Sequence, residues 1–519
     1  MVLRKRLAVM SATAAVAVMS LVGCTSTNSG STGSTTNGGG EGDPLDVLAN
    51  KNARAAIAMA IDKQALCDTI LNNGTVPASY LTARELAFNS EGKDYRDVAG
   101  EMGYEYNAEE ASKIMKYASE HNIPVTPRGA GTGLCGGCVP LHGGIVLNTS
   151  LMNKILEIDP DTMTITVEPG VLLMEVQEAV KNAGFLYAPD PGEKSATVGG
   201  NVMTNAGGMR AVRYGVTRDY VRGMQVVTPT GEILELGGKV AKNSSGYSLL
   251  HLMVGSEGTL GLVTRITMKI MPSPKKMTSL LIPFETLSAA LKTVPEIMKL
   301  PEVATTIEFM EKEVLDDAQE YLGKEFPNRN YPAYLIVSYS GNSQAHIESM
   351  LDTACNTAVK CGALDVFLSD TQERQEAIWN ARGAFLEAIK NSTTEMDECD
   401  VVLNIDKVAE FVDYTRECSA KYNVRIRSFG HAGDGNLHVY VCKDSLDDET
   451  WNHVVHEVMD GFYVKAKELN GQVSGEHGIG HAKKRYLEES VGEAQMNLMR
   501  SIKRVFDPQG ILNPGKIVD

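Results

Sequence analysis

The chain lacks an excess of positive charge: 49 Lys and Arg against 65 Asp and Glu leave a formal net charge of −16, spread along the sequence. A nucleic-acid partner is excluded, because phosphate backbones are held by basic surfaces, and any anionic substrate must be attracted locally. A cysteine framework is missing too. The nine cysteines, at 24, 67, 135, 138, 355, 361, 399, 418 and 442, follow no disulfide spacing and read as reduced thiols in small apolar gaps. Past the first two dozen residues no run is long and apolar enough to span a bilayer, which takes about 20 residues, and there is no internal repeat. What is present is length and apolar content: 519 residues, 43% of them hydrophobic, suffice for two or more cores.

Arg4, Lys5 and Arg6 precede the apolar run LAVMSATAAVAVMSLVG, the order of a secretory signal. The run ends in LVGC, which resembles a bacterial lipobox. That resemblance implies a signal peptide over 1–24, lipidation of Cys24 and a lipid anchor at the cell membrane. Residues 25–43, rich in Ser, Thr and Gly, form a tether with no core. Over 44–108, NARAAIAMAIDKQALCDTILNN, GTVPASYL and GYEYNAEEASKIM resemble a fragment of the oligopeptide-type extracellular solute-binding proteins. A peptide receptor needs two large lobes, and this piece lies at the lower edge of what folds alone.

From Glu109 short β-rich runs alternate with helical ones. EEASKIMKYASEHN and LLMEVQEAVKNAG have helical spacing, while IPVTPRG, GGIVLNTS, TMTITVEPG and MQVVTPTGEILEL read as strands. One α+β domain is expected over 109–273 and a second over 274–519, the latter with helices TLSAALKTVPEIMKL and SQAHIESMLDTACNTAVK and strands TTIEFM and AYLIVSYS. Inside the first, GTGLCG (Gly131 to Gly136) fits the dinucleotide pattern G-x-G-x-x-G. An NAD fingerprint needs a helix directly after its glycines to receive the pyrophosphate; here CVPLHGGIVLNTS follows, a turn and a strand. Glu157 and Asp159 follow a different strand from the one the ribose-binding acid requires. NAD is therefore excluded at this loop, and two readings remain: a backbone nest for a phosphate or pyrophosphate, and a set of tight turns.

Three more glycine-dense loops decide between them: PDPGEKSATVGGNVMTNAGG, RYGVTRDYV and KNSSGYSLLHLMVGSEGTLG. With PRGAGTGL they resemble the FAD domain of the vanillyl-alcohol-oxidase (PCMH) type, and in particular the FAD-linked D-2-hydroxyacid dehydrogenases that include D-lactate dehydrogenase and the glycolate oxidase D subunit. The likeness runs from about residue 109 to the end. It implies a PCMH-type domain followed by a ferredoxin-like α+β cap whose last segment, FDPQGILNPGKIV, returns to the flavin domain. It also implies FAD held at the pyrophosphate by Arg128, Gly129, Ala130, Gly131, Thr132, Gly133 and Gly136. Pro189, Gly199, Gly200, Asn205, Gly207 and Gly208 are expected along the isoalloxazine and ribityl chain, and Gly255, Ser256, Glu257 and Gly258 closing the site. Asn513 and Lys516 are expected nearby. Thr132 and Leu134 stand where covalent members carry a histidine, so FAD is expected to be non-covalent. The family's first strand and lead-in helix are absent, which predicts an exposed sheet edge and a weak hold on FAD. In an oxidising compartment Cys135 and Cys138 are expected to oxidise and distort the nest.

In the cap, SFGHAGDGNLHVYV sets His431 and His438 at the two ends of a hairpin, and VSGEHGIGHAKKRY offers Glu476 beside His477. Two imidazoles and a carboxylate suit Zn²⁺, Mn²⁺ or Fe²⁺. The family resemblance implies the same three as metal ligands, His477 as catalytic base and Arg382 as the clamp on the substrate carboxylate. Asp434 is expected to form the turn. Asn404 and Ile405, in VVLNIDK, depart from the family pattern. The implied reaction is oxidation of a small D-2-hydroxy acid, D-lactate or glycolate, with an electron-transfer flavoprotein or a quinone as acceptor. The family resemblance also implies a cytoplasmic alternative to the membrane. Two competing readings are a peptide-binding lipoprotein and a fusion with impaired FAD binding.

Overall fold

The computed structural model describes residues 107–326 and 330–518. The signal, the tether, Cys24 and nearly all of the solute-binding-like fragment lie outside the described residues. Residues 107–519 form a compact unit of their own.

Among the described residues, sixteen strands divide among four sheets. β1 (Val125–Arg128) and β2 (Ile145–Asn148) are a parallel pair. β3 (Ile155–Asp159), β4 (Thr164–Val167), β6 (Val221–Val227), β7 (Ile233–Gly237) and β8 (Leu262–Lys269) form an antiparallel sheet in the order β3-β4-β8-β6-β7, while β5 (Phe185–Leu186) pairs with β9 (Met271–Pro272). Apolar residues of the helix Leu173–Asn182 recur at Leu173, Val176 and Val180, one face of a 3.6-residue repeat, and pack with Ile165, Val167, Ile266 and Met268 into the core of this domain.

MQVVTPTGEILEL is not one strand. It is the hairpin β6–β7, turned at Pro229, Thr230 and Gly231, where Gly231 takes φ 85° and the N–H of Gly231 donates to the carbonyl of Thr228. The continuous β-branched run hides the break; the Pro-x-Gly within it carries the turn.

The cap is a seven-stranded antiparallel sheet in the order β13-β10-β12-β11-β15-β16-β14, built from β10 (Lys276–Phe284), β11 (Thr306–Glu311), β12 (Ala333–Gly341), β13 (Phe367–Ser369), β14 (Met396–Val402), β15 (Arg425–His431) and β16 (Asn436–Cys442). Alternation sends neighbours to opposite faces. Leu280, Ile282 and Phe284 join helices Leu287–Met298, Gln344–Lys360, Val408–Tyr422 and Asp448–Glu468 in one core, whereas Leu281, Tyr334 and Ile336 pack on helices Lys312–Leu322 and Phe385–Ser392 in another. Both faces of the sheet are therefore covered, which buries strand carboxylates that would be solvated on a one-sided sheet.

The C-terminal segment returns to the flavin domain. Val125 of β1 donates its N–H to Ile511 and accepts from the N–H of Asn513, so residues 511–513 occupy β1 on the side away from β2. The edge expected to be open is thus met at Val125 by the chain's own end, and Pro127 has no N–H to leave unpaired there.

Candidate active site

Loop 129–144, between β1 and β2, contains no helix, as its glycines and Pro140 require. Gly131 and Gly136 take φ 75° and 70°, conformations that glycine adopts freely. Among the described residues no acceptor takes the N–H groups of Gly129 through Gly133, so the nest is open toward the cavity they line. That cavity, about 1080 Å³, runs from these glycines past Thr197, Gly199 and Gly200 to His431, His438, Glu476 and His477. Its size suits a dinucleotide plus a small substrate, and its open N–H groups suit a pyrophosphate, so the residues present fit FAD. A Cβ on Gly129 would lie 2.2 Å from Thr197 Oγ1. Gly129→Ala is therefore expected to displace the nest and weaken FAD retention about tenfold or more, since overpacking costs about 1–3 kcal/mol; the flavin-to-protein ratio after gel filtration measures it.

The expected cofactor residues fall into two groups. Arg128, Gly129, Ala130, Gly131, Thr132, Gly133, Gly199, Gly200, Glu257 and Gly258 line the cavity. The others shape the loops instead. The N–H of Arg218 donates to Asn205 Oδ1 at 2.9 Å, Gln177 Nε2 donates to the Pro189 carbonyl at 3.3 Å, and the N–H of Val139 donates to the Gly136 carbonyl at 3.2 Å. Gly208 lies against the Asp190 carbonyl, a Cβ on Gly207 would stand 3.0 Å from Glu476 Oε2, and Gly255 and Ser256 hydrogen-bond through their N–H groups to Val202 and Met253. Asn513 Nδ2 ties Gly137 to Glu257 through their carbonyls, at 2.9 and 2.8 Å, and Lys516 Nζ donates to the Val139 carbonyl at 2.7 Å. Asp190, Lys194 and Arg210 also line the cavity as a charged cluster the sequence reading missed.

Cys135 is buried, and its thiol donates to the Gly478 carbonyl at 3.1 Å; burial pushes its pKa up to about 11. The thiol faces the cap loop and is held protonated, which opposes the expected oxidation with Cys138.

The histidine site is built by strand register. His431 ends β15 and His438 lies on β16, with the turn at 432–435 between them; Gly435, at φ 81°, packs against the Leu403 carbonyl. Asp434 forms the turn as expected, accepting from the N–H of Asn436 at 3.2 Å. Nε2 of His431 and of His438 lie 3.5 and 3.3 Å from Glu476 Oε1, and His477 Nε2 lies 3.6 Å from the same oxygen. One ligand atom from each of His431, His438 and Glu476 fits within 4.8 Å, and Glu476 Oε2 is buried with no hydrogen-bond partner among the described residues. Burial alone would lower the His431 pKa; Glu308 and Glu476 outweigh it and raise it to about 10. His477 is likewise raised, against burial, by Asp400 and Glu398, while Glu476 is held far below the carboxylate range by the imidazoles against its own burial. His438 is lowered instead, by burial and by the neighbouring His477 and His431; two imidazoles drawn toward protonation and one held neutral on a single buried carboxylate are a pattern that a divalent cation would replace, and the set fits one.

Three carboxylates escaped the sequence reading. Asp400, fully buried on β14, accepts through Oδ2 from Ser474 Oγ (2.8 Å), the N–H groups of Gly475, Glu476 and His477 (3.1, 3.2 and 3.0 Å) and Lys483 Nζ (3.4 Å), and through Oδ1 from Asn436 Nδ2 (2.7 Å). It fixes the segment that carries Glu476 and His477. Glu398, two residues earlier on β14, faces His477 Nδ1 at 2.7 Å and accepts from Tyr440 Oη at 3.2 Å. Glu308, on β11, bridges His431 and Arg382. Arg382 lines the cavity, yet it is not an open clamp: Nε and Nη2 are both spent on Glu308. Glu257 accepts from the N–H groups of Ile479 and Gly480, both at 2.7 Å, and so pins the flavin-side loop to the cap segment. Asn404 and Ile405 do not line the cavity.

A family model described as an FAD binding domain matches residues 106–237, one described as the C-terminal domain of FAD linked oxidases matches 273–517, and one for bacterial extracellular solute-binding proteins, family 5 middle, matches 27–123. A D-lactate dehydrogenase of Anaerostipes hadrus is 49% identical over 416 residues, 79% of this chain and 88% of that protein. The glycolate oxidase subunit GlcD of Bacillus subtilis (strain 168) is 39% identical over 414 residues, 79% and 87% of the two chains. The structure of p-cresol methylhydroxylase with substrate bound superposes with a TM-score of 0.67 at 17% identity, over 80% of this chain and 88% of that one, which shows a shared PCMH-type fold.

Proposed function

The chain belongs to the FAD-linked oxidase family of D-2-hydroxyacid dehydrogenases, and from that membership we propose that it oxidises a small D-2-hydroxy acid, D-lactate or glycolate, to the 2-oxo acid. It is an FAD-linked oxidoreductase. The observation that carries the reading is that one cavity holds the open N–H nest at one end and His431, His438, Glu476 and His477 at the other. Bound FAD supplies the hydride acceptor, and a divalent cation on His431, His438 and Glu476 would lower the pKa of the substrate hydroxyl.

The remaining roles belong to the chain's own residues. His477, in the neutral form that a cation on the neighbouring ligands would favour against the carboxylates, would take the hydroxyl proton at Nε2, its Nδ1 lying 2.7 Å from Glu398 Oε1 and the residue lining the cavity. Asp400 and Glu257 hold the 474–480 segment between the two domains, which orients the base. Arg382, fixed by Glu308, presents a cationic wall to the substrate carboxylate. Metal analysis of the purified protein is expected to find one transition-metal ion per chain. Substitution of either His431 or His438 by alanine is expected to lose it while FAD stays bound; full occupancy in both variants contradicts the assignment.

The same proposal places the protein at the cell membrane through lipid on Cys24, supported by the charged start and apolar run before it, with a flavoprotein or quinone as electron acceptor. Incorporation of labelled fatty acid into the wild type but not into Cys24→Ala tests the anchor.

A further inference from the structure

Glu308 has no exposed surface, and its carboxylate serves two functional groups: Oε1 faces His431 alone, while Oε2 faces Arg382 and also lies 3.0 Å from His431 Nδ1. Oε1 lies 2.8 Å from His431 Nδ1; Oε2 accepts from Arg382 Nε at 2.8 Å and lies 2.7 Å from Arg382 Nη2. The β11–β15 register pairs Glu308 directly with His431, so the backbone itself sets the first contact. Arg382 arrives from the helix Gln372–Gly383 with its guanidinium over the Phe429 ring, 4.7 Å from the centroid, and is 7% exposed.

We propose that Glu308 is a positioning residue that orients the metal-binding nitrogen of His431 and the cavity-lining guanidinium of Arg382 together. This rests on the reading in which His431 holds a cation. An ionised carboxylate offers acceptors only. It therefore takes the Nδ1 proton of His431 and leaves the lone pair on Nε2, the nitrogen directed at Glu476; partners of this kind fix the tautomer and the ring of a metal-bound histidine. The second oxygen pairs with Arg382 through Nε and Nη2 and holds the still-cationic fork in one plane.

An amide cannot do both. If the oxygen of a glutamine at 308 faced Arg382, its NH₂ would meet Nδ1, and the His431 proton would have to move to Nε2, where it blocks the cation. If the oxygen faced His431, the NH₂ would oppose the guanidinium and leave a buried cation unpaired.

The test uses the full-length, FAD-loaded protein with Zn²⁺ alone as the probe, titrated against competing chelators, and the flavin-to-protein ratio read in parallel. Glu308→Gln is expected to bind Zn²⁺ about 10- to 100-fold more weakly than wild type, to raise KM for the hydroxy acid, and to keep its FAD. Glu308→Asp retains charge and both acceptors one methylene short of their partners, and is expected to fall between the two. Wild-type Zn²⁺ affinity in both variants overturns the inference and leaves the metal reading standing. A wild type that binds no Zn²⁺, Mn²⁺ or Fe²⁺ overturns the metal reading, and this inference with it.

Discussion

Replacing His477 by alanine is expected to stop flavin reduction by substrate while FAD remains bound. The side chain is an imidazole of the site not assigned to the cation, its Nδ1 lies 2.7 Å from Glu398 Oε1, and the residue lines the cavity. Among the described residues its hydrogen bond and ion pairs go to Asp400, Glu398 and Glu476 rather than to the loop that would carry the pyrophosphate, so FAD is expected to stay bound. Removing a general base costs about 10²- to 10⁴-fold in rate, and the account assigns that cost to proton removal alone. Anaerobic mixing of substrate with the variant, followed by flavin absorbance, reads this step directly. Bleaching at a near-normal rate would take His477 out of the role. The ring also stacks on His438 at 4.9 Å, so the metal content of the variant should be read beside the rate: a fall in rate with metal and FAD both retained is the result expected of a base.

The second large effect is expected at Asp400. A single buried oxygen collects a hydroxyl, three backbone N–H groups and an ammonium, and these donors are what shape the segment 474–477. Asp400→Asn preserves volume but withdraws the charge that pairs with Lys483, itself 4% exposed and held protonated, against its burial, by Asp400. Breaking a buried pair on one side costs about 3–5 kcal/mol, so thermal unfolding should shift down by many degrees and activity should fall with it, because Glu476 and His477 ride on the released segment. The pH dependence has a definite sign. His477 and Lys483 hold the Asp400 carboxyl far below its ordinary range, against burial, so its stabilising contribution is complete above the unfolded carboxyl pKa of about 3.9 and is lost as pH falls below it. Wild type should lose stability on acidification through that range more steeply than Asp400→Asn. Parallel acid profiles for the two would show that the contribution lies elsewhere.

What the sequence disclosed and what it hid have a physical pattern. Loops that need positive φ or close backbone approach must be written in glycine, so the nest at 129–136 and the turn at 432–435 were legible as motifs. Histidines flanking a hairpin turn were legible for the same local reason. Glu308, Glu398 and Asp400 are hidden, because strands with several acids, MDECDVV and TIEFME, read locally as half-solvated and the partners of each carboxylate come from other strands and loops far away in the chain. A signal was available: Glu308 lies between Ile307 and Phe309, and Asp400 between Cys399 and Val401, and a charge on a strand covered on both faces must find a partner. The family resemblance makes Arg382 a clamp, and residue type alone cannot show that Glu308 already engages two of its nitrogens. The contact of residues 511–513 with Val125 joins segments almost four hundred residues apart, and no local pattern announces it.

The most direct test of the central claim, that this cavity passes a hydride from a D-2-hydroxy acid to FAD, is anaerobic mixing of the purified, FAD- and metal-loaded protein with D-lactate, with glycolate and with L-lactate while the flavin absorbance is followed. The account predicts rapid bleaching by D-lactate or glycolate, with release of the 2-oxo acid, and none at a comparable rate by L-lactate. Flavin that stays oxidised with every D-2-hydroxy acid offered, in protein shown to hold both FAD and metal, would contradict it.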